Sequence, residues 1–424
     1  GLQALLVRME KLYGVKLYLP GEELGEPAIA CEKIVLDTSP PKLLAGKGGI
    51  EEVEFTGPSV MLSPRLLDFI AKLSGGIGAQ GSLVPRRTCI HDGSVRFDAG
   101  MLYAGSQPIR LSNVSVQVDA NSFSASRLDF RGSATQLTTG KMSISGTIDI
   151  PAKSLSFGAE IPRIDITGGF RNLLPPDLQR VWDDINLKGQ LGLALEMAFS
   201  WAENKLTRQH ITITPINCSV QLKDFPLYLS QINGLMESDG SSLYIRHAIG
   251  RHRDGTIQVT RGYIDASIIE VELLGRNIPI DQRIKEALPP DVLKVWNDFD
   301  IFRGVADVAY SLKVQRGKGV DKVRPEHCLD LRISGVNATF NELPYPASRL
   351  GGHIRVQSQA AGSTTPGFVD LDIRGIAGSG ILDVKGRIPL APLAGWADNT
   401  STEPEQEGPT DLTVSVKGIE VDYQ

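Results

Sequence analysis

No stretch of this sequence holds the roughly 18 to 20 consecutive apolar residues that a membrane-crossing helix needs. Aromatic residues are scarce, at 6% of the chain, so both bulky core fillers and the aromatic platforms of sugar-binding clefts are in short supply. The four cysteines, Cys31, Cys89, Cys218 and Cys328, stand far apart with no C-x-x-C pair, which argues against a zinc or redox centre. Two readings of them stay open: buried free thiols, or one Cys31–Cys89 disulfide in an oxidising compartment. The net charge of −5 lacks the basic bias of a nucleic-acid binder.

Catalytic signatures are missing as well. There is no G-x-S-x-G, no H-E-x-x-H and no P-loop. "GGIGAQG" (Gly75–Gly81) follows a helical pattern and opens none after a strand, so it reads as a loop. His91 and Asp92 in "IHDG" have no nucleophile beside them and read as a turn. His247 and His252 in "RHAIGRHRDG" fit no zinc spacing and read as a solvated basic hairpin, with lipid head-group contact as the alternative. A glycosidase would need two carboxylates brought together in a cleft; 49 acidic residues leave such a pair open, and the scarcity of aromatic sugar platforms argues against it. The expectation is a protein that is not an enzyme and takes no cofactor and no metal.

What the chain has is alternation. Apolar residues recur at every second position, the mark of a strand with one buried face. Val95 and Phe97 alternate with Ser94, Arg96 and Asp98. Val114, Val116 and Val118 do the same, as do Met142 and Ile144, and Leu191, Leu193 and Leu195. Further on come Ile211 and Ile213, then Ile269, Val271 and Leu273, then Leu329, Leu331 and Ile333, then Val369, Leu371 and Ile373. "HDG", "SDG" and "RDG" between such runs are hairpin signals.

Helices are few, and they repeat. "LPPDLQRVWDD" begins at Leu174, and "LPPDVLKVWND" begins 114 residues later at Leu288. Each has prolines at its start, where a missing N–H costs nothing. Each carries one apolar stripe at helical spacing: Leu178, Val181, Trp182 and Ile185, then Val292, Val295, Trp296 and Phe299. An earlier copy, "SPRLLDFIAKL", places Leu66, Phe69 and Ile70 on the same stripe. The strands recur too: "SQPIRLSNVSV", "DFPLYLSQINGLM" and "ELPYPASRLGGHI" follow one another at about 118 residues. "GRNIPI" (Gly275–Ile280) is matched with "GRIPLAP" (Gly386–Pro392), after which a polar segment stands where a helix is expected. The expected units are therefore a partial one over 1–80 with a helix near 63–73, then 81–188 ending in a helix over 176–186. The third is 189–302 ending in a helix over 290–300, and the fourth is 303–424 with a polar loop at 396–409.

A long sheet with one apolar face must cover it, and one short helix per unit of about 113 residues covers little. Two architectures remain open. The sheet folds into a sealed core, or it curls into a trough with an apolar floor that takes something apolar. The first suits a structural or adhesive β-repeat spacer, and the second a carrier of acyl chains. The stripes and Trp182 and Trp296 are read as buried helix-packing anchors.

The unit pattern, together with "FPLYLSQINGLM…DGSSLYI" and "VEFTGPSVMLSPRLLDFI" (Val53–Ile70), resembles the AsmA superfamily, which includes the YhdP-like and TamB-like proteins of diderm bacteria. The resemblance runs from about Ile34 to the end. It implies a mostly β fold: an elongated, curled antiparallel sheet, U-shaped in section, with the alternating residues above as its lining. It further implies a bridge-like lipid-transfer protein carrying phospholipids between inner and outer membranes. Such a protein would be periplasmic, anchored to the inner membrane by a segment outside this chain, and would work with envelope partner proteins and no nucleic acid. The opening residues read as ordinary domain sequence and "KGIEVDYQ" as mid-strand, so the chain is expected to be a piece of a longer protein.

Overall fold

The computed structural model describes residues 10–21, 25–38, 50–77, 85, 87–98, 109–120, 127–167, 171–172, 179, 182–183, 186–221, 228–265, 267–287, 293, 296–297, 300–315, 326–339, 346–358, 367–390 and 411–418. They form 21 strands and two helices. The fold is mostly β and almost wholly antiparallel. The chain divides into two compact units, residues 1–175 with 191–213, and residues 176–190 with 214–424.

In the first unit, β1 (Glu10–Leu17) pairs with β2 (Ile29–Thr38), which pairs with both β3 (Ile50–Thr56) and β4 (Ser59–Leu62). Helix α1 (Pro64–Ile77) follows. Ser63 caps it, its Oγ accepting from Leu66 N at 3.2 Å, and Pro64 takes the first helical position. The chain then crosses back, so β5 (Arg87–Phe97) runs parallel to β3 and β4. From there β6 (Ile109–Ala120), β7 (Arg127–Gln136), β8 (Gly140–Asp149) and β9 (Ser154–Asp165) form an antiparallel meander. "HDG" is not the turn its residues suggest. Asp92 takes φ 55° in the middle of β5, where the register shifts, so it forms a bulge.

Beyond β10 (Lys188–Ser200) and β11 (Lys205–Gln221), the second unit runs as a longer meander: β12 (Tyr228–Ser238), β13 (Leu243–His252), β14 (Gly255–Ile264) and β15 (Ile268–Pro279). Helix α2 (Gln282–Ala287) comes next, capped by Asp281, whose Oδ1 accepts from Arg283 N and Ile284 N at 3.0 Å each. Then follow β16 (Arg303–Gln315), β17 (Glu326–Thr339), β18 (Pro346–Gln357), β19 (Gly367–Ala377), β20 (Gly380–Leu390) and β21 (Asp411–Lys417), each antiparallel to the last. "SDG" and "RDG" do sit at strand-to-strand turns, before and after β13.

The repeat is written in the backbone. Asn113, Gln231 and Arg349, spaced by 118 residues, all take positive φ, at 47°, 52° and 52°. Each stands where the pairing slips, after Ser112, Ser230 and Ser348. These are bulges in β6, β12 and β18, so the period is six strands. Asn217 and Gly335 repeat the device in β11 and β17 at φ 51° and 63°. Bulges bend a strand and raise its local twist, which makes them a means of curling a sheet at fixed intervals.

This period corrects the sequence alignment of the last unit. β15 and β20 are five antiparallel steps apart and run in opposite directions, so Gly275–Ile280 and Gly386–Pro392 are not equivalent. Counting six strands from β9 and β15 reaches β21, which holds the place before a helix. The expected polar loop at 396–409 lies outside the described residues, between β20 and β21, which hold the places of β14 and β15 in the repeat.

Candidate functional site

The registers of the second unit gather the alternating residues on one face. Val259 pairs with Leu273, Leu273 with Tyr310, Tyr310 with Leu329, Leu329 with Val356, Val356 with Val369, and Val369 with Ile388. A parallel row runs through Val308, Leu331, Ile354 and Leu371. A third runs through Ala306, Ile333, Gly352, Ile373, Val384 and Val414. Ile269 and Val271 continue the face toward the other strand end, opposite Val314 and Leu312. Ile269, Val271, Leu273, Leu329, Leu331, Ile333, Val369, Leu371 and Ile373 thus share one surface, and all nine are half-buried.

The other face is charged. Asp330, Arg355, Asp370, Arg387 and Asp411 lie directly opposite one another across five successive strands, with alternating sign. Arg387 holds Asp370 with two bonds, at 2.6 and 2.8 Å, and its guanidinium lies 4.0 Å over the Phe368 ring. That pairing keeps the Asp370 carboxyl below its ordinary range. Lys313 with Glu270 and Lys385 with Asp372 extend the pattern at 3.2 and 3.4 Å. Opposite charges facing across a ladder stabilise the pairing and commit this face to water.

The helix end of this unit is closed. Ile284 of α2 packs with Ile257, Ile278, Leu229, Leu273 and Val308. Ile280 and Ile301 pack with Val336, Leu350, Ile333 and Ile373. Trp296 is helical and buried. Helix α2, Gln282–Ala287, stands before the expected 290–300, within which residues 293, 296 and 297 are helical; Val292, Val295 and Phe299 lie outside the described residues.

The first unit buries more of its face. Phe97, Val114, Met142, Ile144 and Leu191 are buried, while Val95, Val116, Val118, Leu193, Leu195, Ile211 and Ile213 are half-buried. The Phe97 and Phe157 rings approach to 5.7 Å, edge to face. They stand on β5 and β9, four strands apart, which in a flat sheet is about 19 Å. The sheet therefore curls tightly here, and its two limbs touch.

Leu67 of α1 enters the same region, packing with Leu155, Phe199 and Trp201 and with Leu62, Phe130 and Ile148. Leu66 packs on the other side with Leu19 and Ala28, alongside Phe69 and Ile70. Lys153 beside Asp68 at 3.4 Å ties the β8–β9 turn to the helix. The single stripe of Leu66, Phe69 and Ile70 misses Leu67, because α1 is covered on two sides. Trp182 is half-buried, and Leu178, Val181 and Ile185 lie outside the described residues.

The four thiols are free, so no Cys31–Cys89 disulfide forms. Cys89 Sγ donates to Glu52 Oε1 at 3.2 Å. Burial and then this carboxylate push the Cys89 thiol up to about 11. A thiol held protonated is a poor nucleophile, so Cys89 is expected to resist iodoacetamide in the folded chain at pH 8 and to label on unfolding. Rapid labelling in the folded state, followed by mass spectrometry, would contradict this geometry.

The reading of "RHAIGRHRDG" as a wholly solvated hairpin is corrected in one half. His247 is exposed, but His252 is only 1% exposed. Its Nδ1 lies 3.1 Å from the Tyr228 carbonyl, which can only accept, so Nδ1 carries the proton. Its Nε2 lies 3.6 Å from Asp281, the cap of α2, which Arg253 also approaches at 2.7 Å. The period-two pattern could not single out a turn residue that a helix cap folds over.

Fold and face together define a class: an antiparallel β-repeat protein whose second unit carries one charged and one apolar sheet face. No protein-family model, curated protein or solved structure matches the chain. Among the described residues there is no cluster of three or more metal-ligating side chains, and no helix long and apolar enough to cross a membrane.

Proposed function

We propose that this chain is part of a lipid carrier, and that its apolar sheet face takes the acyl chains of phospholipids. One observation carries the reading: nine alternating residues of the second unit form a continuous apolar face, yet each stays half-buried. A sealed core would bury such positions almost fully. The apolar rows also continue onto the edge strand β21, where Leu412, Val414 and Val416 are 40%, 57% and 38% exposed. An apolar face with polar surroundings calls for an apolar partner, and acyl chains fit rows of Val, Leu and Ile without needing hydrogen bonds.

On this proposal the chain works as an AsmA-like conduit in the periplasm, moving phospholipids between inner and outer membranes. Its membrane anchor and envelope partners would lie in other segments or chains. The test is mass spectrometry of lipid extracted after detergent-free purification from a bacterial periplasm, against an unrelated periplasmic β protein. Several phospholipids per chain are expected. Lipid at the control level would overturn the proposal and favour a spacer with a sealed interior.

A further inference from the structure

Two side chains interrupt the apolar rows of β14 to β21 with polar groups: Tyr310 and His327. Tyr310 faces Leu329 and Leu273 across its two ladders, and His327 faces Leu312. They are diagonal neighbours on one face, about 7 Å apart at their Cα atoms. Their strand partners Leu273, Leu329 and Leu312 are aliphatic, while on its other side His327 meets Ser358, whose Oγ accepts from His327 N at 2.8 Å. Among the described residues neither the Tyr310 hydroxyl nor the His327 ring has a hydrogen-bond partner; only the His327 backbone is engaged, by Ser358.

Both residues are half-buried, so a lipid lying along the rows would cover their polar groups and take them from water unless it supplies an acceptor. A Phe at 310 or a Leu at 327 would continue the rows without a polar group. Burial alone pushes the Tyr310 phenol up and the His327 imidazole down, so both are neutral at pH 7. Each then offers one donor: the phenol O–H and one ring N–H.

We infer that Tyr310 and His327 form a polar foothold inside the apolar face and hydrogen-bond the acyl carbonyl oxygen of a bound lipid. A carbonyl is the acceptor that arrives attached to an alkyl chain, and two neutral donors suit its two lone pairs without requiring a charge in an apolar site. The inference rests on the acyl-chain reading above. It adds that the face fixes the depth at which a lipid rides, rather than acting as a uniform slide.

The test uses dioleoylphosphatidylglycerol labelled with carbon-13 at its ester carbonyls, with oleic acid and hexadecane as companions. Binding to the purified chain is compared with Tyr310→Phe, His327→Leu and the double variant, and melting curves check the fold. Each single change is expected to weaken retention of the carbonyl-bearing lipid about fivefold, the worth of one hydrogen bond. Hexadecane binding should stay the same or rise. In infrared spectra the labelled carbonyl band should lie at lower frequency on the wild-type chain and move back up in the variants.

An effect confined to oleic acid would assign the foothold to free fatty acids. Equal retention and an unmoved band in all variants would overturn the foothold and leave the acyl-chain reading standing. If the wild-type chain retains none of the three probes, both fall together.

Discussion

Replacing Val271 with aspartate is expected to strip phospholipid from the chain while leaving it folded. Val271 stands mid-row, opposite Leu312 on β16 and Gly262 on β14, and is half-buried. In an unoccupied trough a carboxylate there reaches water, so its ionisation needs no pairing. The cost to stability is the loss of a valine from a strand, about 1 kcal/mol. An acyl chain laid along the row must displace that water and leave the charge unsolvated, a penalty of several kcal/mol. Retention should then fall on the order of 100-fold or more. Lipid mass spectrometry and a thermal melt on the same preparation separate the two effects. A variant that is grossly unfolded would mean that position 271 lies in a sealed core, and the conduit reading would lose its footing.

The sequence made one half of this legible and hid the other. Alternation alone assigns Ile269, Val271 and Leu273 to one side of a strand, and likewise Leu329, Leu331 and Ile333. It says nothing of which strand side meets which, because that depends on register, and register depends on bulges. Asn113, Gln231 and Arg349 are the residues that set it, and only one of the three is of a type that favours positive φ. The same blindness misplaced the last unit: "GRNIPI" and "GRIPLAP" match in letters but run in opposite directions on β15 and β20. Tyr310 was passed over for a related reason. A lone tyrosine at the correct parity reads as one more apolar residue until its hydroxyl is seen without a partner.

The helices were legible in kind but not in detail. Ser63 followed by Pro64 announces the start of α1, and the apolar spacing supplies Leu66, Phe69 and Ile70. Leu67 falls off that stripe, yet it is the residue that meets Phe199 and Trp201 from the far side of the curl. A helix wedged into a curled sheet is covered on more than one side, and a one-stripe template counts only one.

Gly304→Ala should be strongly destabilising, with a loss of about 3–5 kcal/mol in stability. Gly304 has φ +131°, a conformation that L side chains rarely adopt. A Cβ placed there would lie 2.6 Å from Val336 Cγ2 and 2.8 Å from Val336 Cα, and the latter cannot move without moving β17. The device recurs 115 residues earlier: Gly189 has φ +120°, and a Cβ there would lie 2.9 Å from Cys218 Cα. Glycine at this point of the repeat lets the strand after a helix close against the next strand. The Gly304 carbonyl also accepts from Ile280 N at 2.9 Å, one residue before the Asp281 cap of α2. Pushing β16 away would therefore loosen the helix that closes this end of the apolar face. Gly351→Ala is the control, since its Cβ would meet only the Ile333 carbonyl oxygen, at 3.6 Å. Denaturant unfolding should show a large drop in midpoint for the first variant and a change within about 1 kcal/mol for the second. Equal midpoints would mean that β16 has room to shift, and that the close approach at Gly304 does not hold the helix end together.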